Sequence, residues 1–280
     1  MLLSVYHKMS KIKETITLTF GDCAENHNGM QKIGNQVKTG FTLEDLMNTK
    51  TYFESNSIQC NLFDLSTIKP IPKPILNPEN ILQQEQIITF PKAYLLVARN
   101  AITNSKELYN EQCKFERDKQ ALMYGRVVNK HARHNLCFSD FDQEADFTNG
   151  KGTVINFNKL PLLQQIRNQL PIITNTTKTK KTINLQCEAN YYYDITKTYI
   201  GFHGDSERRI VIGLRLGETF PLHYQWYKNS EKQSDLFTIN LNDGDMYFMS
   251  EKAVGYDWKQ KANNIYTLRH AAGNIKFVCK

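Results

Sequence analysis

The chain has 280 residues, 40% of them hydrophobic and 11% aromatic, enough for one large domain or a large domain beside a small one. Its six cysteines (Cys23, Cys60, Cys113, Cys137, Cys187, Cys279) include no CxxC pair, which argues against a zinc ribbon or a disulfide framework and for a reducing compartment. A net charge of +7 and a pI near 8.9 suit a polyanionic partner such as nucleic acid, and equally a merely basic protein.

No apolar run approaches the ~18 residues of a membrane span, and MLLSVYHKMSKIKE lacks the apolar centre of a signal peptide. The expectation is therefore a cytoplasmic or nuclear location with no membrane partner. ETITLTFGD alternates like a strand that turns at Gly21-Asp22. FTLEDLMNTKTYF reads as a short helix, with Thr42 as N-cap and Asp45 at the third helical position. IKPIPKPILNPEN, with four prolines, reads as an extended connector. It suggests a boundary, with 1–86 an N-terminal extension or small domain of unassigned role and 87–280 the main domain.

Beyond it, ITFPKAYLLVARNAI is strand-like and NSKELYNEQCKFERDKQAL reads as a helix. After Gly150 short strands alternate with turns: TVINF, IVIGLRLG, LHYQWY, FTINL, DMYFMS, IYTLRHA and IKFVC. LPLLQQIRNQL interrupts them as a helix, with Leu160, Leu163, Ile166 and Leu170 on one face. Many short strands after a few helices point to an α+β, mainly β fold, a sandwich or jelly roll with helices on one face.

The chemistry concentrates in YYYDITKTYIGFHGDSERR, Tyr191 to Arg209. Non-haem Fe(II) oxygenases hold iron with two His and one carboxylate on one side, leaving the other side open. Residues i and i+2 of a strand point the same way, so His203 and Asp205 can reach one metal. Gly204 between them lets backbone pass close. Glu207, Arg208 and Arg209 read as a solvated edge, as groups that orient the metal strand, or as phosphate contacts.

The surrounding residues resemble the AlkB-like 2-oxoglutarate- and Fe(II)-dependent dioxygenases. Asn190-Tyr191-Tyr192 and Ile200-Gly201-Phe202-His203-Gly204-Asp205-Ser206-Glu207 are similar to the family's N-x-Y and I-G-x-H-x-D-x-E. Leu216-Gly217 followed by LHYQWY, then LNDGDMYFM and IYTLR, follow in the family's order, although Arg215 stands where the family has a smaller residue. MYGRVVNKHAR is similar to its lid segment, so the resemblance runs from about Tyr124 to Lys276. It implies a double-stranded β-helix (jelly roll) with flanking helices and an N-terminal extension. It also implies iron on His203 and Asp205, 2-oxoglutarate near Asn190 and Tyr192, and Arg269 on a 2-oxoglutarate carboxylate. Molecular oxygen would be the second substrate.

One part of the pattern is missing. The family's second His follows the G-D-L-L-x-M strand, and here SEKAVGYDWKQKANN has none. The third ligand is then His270, Asp257 or absent, while His223 falls in a core strand. Arg269 and His270 are neighbours and face opposite ways on a regular strand, so both roles hold only across a bulge. Upstream, Arg126, Lys130 and Arg133, with His131, His134 and Phe138 nearby, suit phosphate contact and base stacking in DNA or RNA. Two readings follow. One is a dioxygenase hydroxylating a C–H bond, including oxidative demethylation of an alkylated nucleobase, or of a protein or small molecule. The alternative is a catalytically degenerate nucleic-acid-binding module on the same fold.

Overall fold

A computed structural model describes residues 13–72, 88–259 and 265–279. The fold is α+β and mainly β. An eight-stranded sheet runs in the order β4 (Cys60–Asp64), β5 (Tyr94–Ala98), β16 (Met246–Met249), β12 (Val211–Gly217), β1 (Thr15–Gly21), β10 (Gln186–Tyr192), β8 (His134–Ser139), β9 (Val154–Asn156). All its neighbours are antiparallel except β8 and β9. A five-stranded sheet runs β11 (Tyr199–His203), β17 (Thr267–Gly273), β13 (Phe220–Lys228), β14 (Glu231–Lys232), with β15 (Phe237–Leu241) also on β13. Two hairpins complete the strands: β2 (Cys23–Glu25) with β3 (Lys32–Gly34), and β6 (Gln120–Met123) with β7 (Arg126–Asn129).

The alternation of β1 explains its place. Ile16, Leu18 and Phe20 are buried against the helices, whereas Thr17 and Thr19 face a cavity between the sheets. The helical side is formed by α1 (Leu43–Ser55), α2 (Ser105–Gln112) and α3 (Pro161–Ile173). Leu46, Phe53, Leu108, Leu163, Ile166 and Leu170 come from these helices into that core. Each large apolar side chain so buried contributes roughly 1.5–3 kcal/mol. Helix α1 carries the expected cap: Asp45 N donates to Thr42 Oγ1 at 3.2 Å and Thr42 N to Asp45 Oδ2 at 2.8 Å.

A second core joins the two sheets. Leu222, Tyr224 and Trp226 of β13 pack with Leu95 and Val97 of β5 and Tyr247 and Met249 of β16. The Trp226 ring stacks on Phe90 at 4.9 Å, and its Nε1 donates to the Leu65 carbonyl at 2.9 Å.

The boundary drawn in the proline-rich connector is no seam in the described fold. β1 lies between β10 and β12, and β4 pairs with β5, so strands from before residue 73 are hydrogen-bonded to strands from after 87. Connector residues 73–80 lie outside the described residues. Two local expectations are also corrected. The helix expected over 104–122 stops at Gln112: further on, the backbone N–H of Asp118 donates to the Asn135 carbonyl at 2.9 Å and its carbonyl accepts from Asn135 N at 3.3 Å, which takes the groups a continuous helix would use. IKFVC is no strand but the short α5 (Ile275–Val278), started by Asn274, whose side chain accepts from Lys276 N. No helix among the described residues is long and apolar enough to cross a membrane.

Candidate metal centre

The last strand of the small sheet brings His270 to His203 and Asp205. His203 and His270 are Cα partners across β11 and β17, and their rings lie 4.4 Å apart. Asp205 follows two residues after His203, where its N–H donates to the Val254 carbonyl at 3.0 Å. That close approach needs Gly204: a Cβ there would lie 2.1 Å from the Gly255 carbonyl oxygen.

Asp205 Oδ1 is 3.4 Å from His203 Nε2 and 3.9 Å from His270 Nε2. One ligand atom from each of the three residues lies within 4.8 Å of the others, so the group can hold a metal ion. His203 Nδ1 donates to the Gly201 carbonyl at 2.8 Å, which fixes the tautomer and leaves Nε2 free as an acceptor. Burial, then His203, pushes the His270 imidazole down to about 3, so it is neutral and able to ligate at ordinary pH. Burial works against charge on Asp205, but Arg208, His203 and His270 outweigh it and hold the carboxyl below its usual range.

His270 is thus the member that completes the group. Asp257 is not part of it among the described residues; it pairs with Lys252 at 2.5 Å. His223 is a structural residue, with its ring nitrogens engaged by Thr238 Oγ1 and the Gly273 carbonyl.

Behind Asp205 lies Arg208, which is no solvated edge. It is buried, bonds Glu188 and Glu207 at 2.8 Å each, and lies 3.7 Å from Asp205 Oδ2. It therefore turns Oδ1 toward the two imidazoles. Outer-shell partners of this kind typically change metal affinity about 10- to 100-fold. Arg208→Gln is expected to weaken Mn(II) binding by that factor while its circular dichroism matches wild type. Unchanged Mn(II) affinity in a folded variant would remove Arg208 from this role.

The group opens into a cavity of about 320 Å³ between the sheets. Asn190 and Tyr192 line it. The Asn190 amide is engaged with Arg133, Asn135 and Glu188. Arg269 does not reach the cavity. Strand β17 is regular beside β13, so when His270 faces inward Arg269 faces away, over the rings of Tyr227 at 4.3 Å and Trp258 at 5.5 Å. Three arginines do line the cavity, Arg133, Arg208 and Arg215 of β12, and Arg215 has no acidic partner among the described residues. Its signal was legible in IVIGLRLG: Val211, Gly213 and Arg215 share a face, so a cation there points where the strand's other inward residues point. Gly213 serves the same wall, because a Cβ would meet the Tyr247 ring at 1.8 Å.

The basic segment divides in three. Arg126 is exposed on the β6–β7 hairpin. Lys130 is turned inward, donating to Asn26 Oδ1 at 2.6 Å and Asn135 Oδ1 at 3.0 Å. Arg133 lines the cavity and donates to Asn190. Phe138 is buried in the helical core and offers no stacking surface.

Burial, then Arg133, pushes Lys130 down to about 8. An unfolded lysine titrates near ~10.4. Between these values the unfolded chain binds more protons, so the stability tied to Lys130 is lost as pH falls through about 8 and regained toward about 10.4. Wild-type Tm is expected to rise relative to Lys130→Met across that window. A difference that stays flat with pH contradicts it.

The fold and site define a mainly β protein with a His-Asp-His group, two of its members buried and His203 half-buried, that can take a metal. No family model matches the chain. It is 50% identical over 273 residues to "Uncharacterized protein R156" of Acanthamoeba polyphaga mimivirus, covering 96% of this chain and all of that protein. The chain belongs to the family of that mimivirus protein.

Proposed function

We propose that the protein is an Fe(II)- and 2-oxoglutarate-dependent dioxygenase, built on a double-stranded β-helix and resembling the AlkB-like enzymes, that hydroxylates a C–H bond. The observation that carries the proposal is the convergence of His203, Asp205 and His270 on one side of a cavity between two sheets. Two imidazoles and one carboxylate suit Fe(II) and leave positions open for a chelating cosubstrate and oxygen. With bound iron, 2-oxoglutarate and oxygen supply the oxidation, leaving succinate and carbon dioxide.

The chain's own residues do the rest. His203, Asp205 and His270 would hold the iron, with the Gly201 carbonyl and Arg208 fixing which atoms they offer. Val211, Leu222 and Met249 give the cavity an apolar wall that keeps water from the reacting centre. Glu188, Asn190 and Arg133 form a hydrogen-bonded wall that lies mostly within the protein's own network.

The substrate class proposed for first test is an N-methylated nucleobase in DNA or RNA. The resemblance, the net charge of +7 and the exposed Arg126 support it. Hydroxylation of such a methyl group releases formaldehyde, and the base must leave its stack to enter the cavity. The test is incubation with Fe(II), 2-oxoglutarate, air and methylated oligonucleotides. Succinate and formaldehyde in equal amounts are expected. Succinate without formaldehyde would reassign the substrate to another C–H donor. Neither product with any substrate would sink the dioxygenase reading.

A further inference from the structure

Arg215 is a buried cation with no acidic partner among the described residues. Its residue exposure is 1%, and it lies in β12 on the face that lines the cavity. No described carboxylate lies within 4 Å of its nitrogens, whereas the buried Arg208 has three. Its Nη1 donates to Thr17 Oγ1, and its Nε has no partner among the described residues. The nearby Asp245 is already taken by Arg99 at 2.6 Å and by the N–H groups of Asn100 and Asn242. A guanidinium removed from water without an acid is costly unless something anionic arrives to pair with it.

The neighbours fit that need. Thr17, Thr19, Tyr192 and Tyr247 line the same part of the cavity. Tyr247 lies flat over Gly213, and its hydroxyl bonds Thr19. Hydroxyls around a planar cation suit a carboxylate, which accepts two parallel N–H bonds from the guanidinium and others from O–H groups.

We propose that Arg215, with Thr17 and the Tyr192 and Tyr247 hydroxyls, forms a carboxylate site that takes the distal carboxylate of a dicarboxylic 2-oxo acid. The inference rests on the metal-centred reading above, which puts the 2-oxo end of that ligand at His203, Asp205 and His270. It moves the anion-binding role from Arg269, where the resemblance placed it, to a different strand. Arg215 then sets ligand length and charge: a 2-oxo acid without a second carboxylate leaves the guanidinium unpaired.

The experiment is calorimetric binding to the Mn(II)-loaded protein, which reads affinity without turnover. 2-Oxoglutarate is expected to bind roughly 10- to 100-fold more tightly than 2-oxobutyrate, which lacks the distal carboxylate. Arg215→Gln is expected to remove that discrimination with its Mn(II) affinity kept, Arg215→Lys to restore part of it, and Arg269→Gln to leave it unchanged. Equal binding of the two acids by wild type overturns the proposal without any variant. So does a folded Arg215→Gln that still discriminates, or loss of discrimination in Arg269→Gln. Succinate binding to the metal-free protein, lost in Arg215→Gln, would uphold the carboxylate site even if no 2-oxo acid engages the metal, and the dioxygenase reading alone would then fail.

Discussion

His270→Ala is expected to bind Mn(II) more than about 100-fold more weakly than wild type, beyond the range seen for outer-shell changes. His203→Ala should match it, because the two imidazoles are cross-strand partners around one carboxylate oxygen. The adjacent Arg269→Ala and the nearby Asp257→Ala should bind as wild type does. One points to the other face of β17, and the other is already paired with Lys252. Titration calorimetry of the four variants tests the three assignments left open by the sequence: His270, Asp257 or no third ligand. Wild-type affinity in His270→Ala would return the site to a two-residue pair. The folded state of each variant is checked by thermal melting. Mn(II) should raise the wild-type Tm, since a ligand that binds only the native state stabilises it by mass action.

Trp226→Ala is expected to cost about 3–5 kcal/mol of stability, the range for removing a large buried aromatic. The ring is fully buried between the sheets, stacked on Phe90 with planes 1° apart, and anchored by its Nε1 to the Leu65 carbonyl. Alanine would leave a void and remove the indole hydrogen bond to the Leu65 carbonyl together. The position also bears on the site, because Trp226 pairs in register with Leu268, two residues before His270. Urea unfolding measures the loss. A cost below about 1.5 kcal/mol, the size of a volume-conserving swap, would mean the second core closes over the gap.

Much of this architecture could be read locally. The alternation in ETITLTFGD separated a helix-facing side from a cavity-facing side, and Thr42 with Asp45 marked the start of a helix that forms as expected. His203 and Asp205 were legible because a two-residue spacing on a strand puts both side chains on one side. What stayed hidden were facts of pairing. Alternation tells which way Ile16 points, but not that β1 sits between β10 and β12, because that depends on contacts some 170 to 200 residues away along the chain. Asp118 breaks a segment with good helical pattern because its backbone pairs with Asn135, while Asn26 and Thr153 hold its carboxylate. For the adjacent Arg269 and His270, strand geometry allowed only one inward residue, and the sequence did not say which. The structure turns His270 inward, and Arg215 rather than Arg269 is among the cations that line the cavity.

The central claim is that these three residues make an iron and 2-oxoglutarate centre. Its most direct test is an anaerobic titration of the protein with Fe(II) and 2-oxoglutarate, followed by visible absorption. A weak metal-to-ligand charge-transfer band is expected that needs both additions and disappears in His203→Ala and His270→Ala. No band in wild type, or a band that persists in His270→Ala, would contradict it.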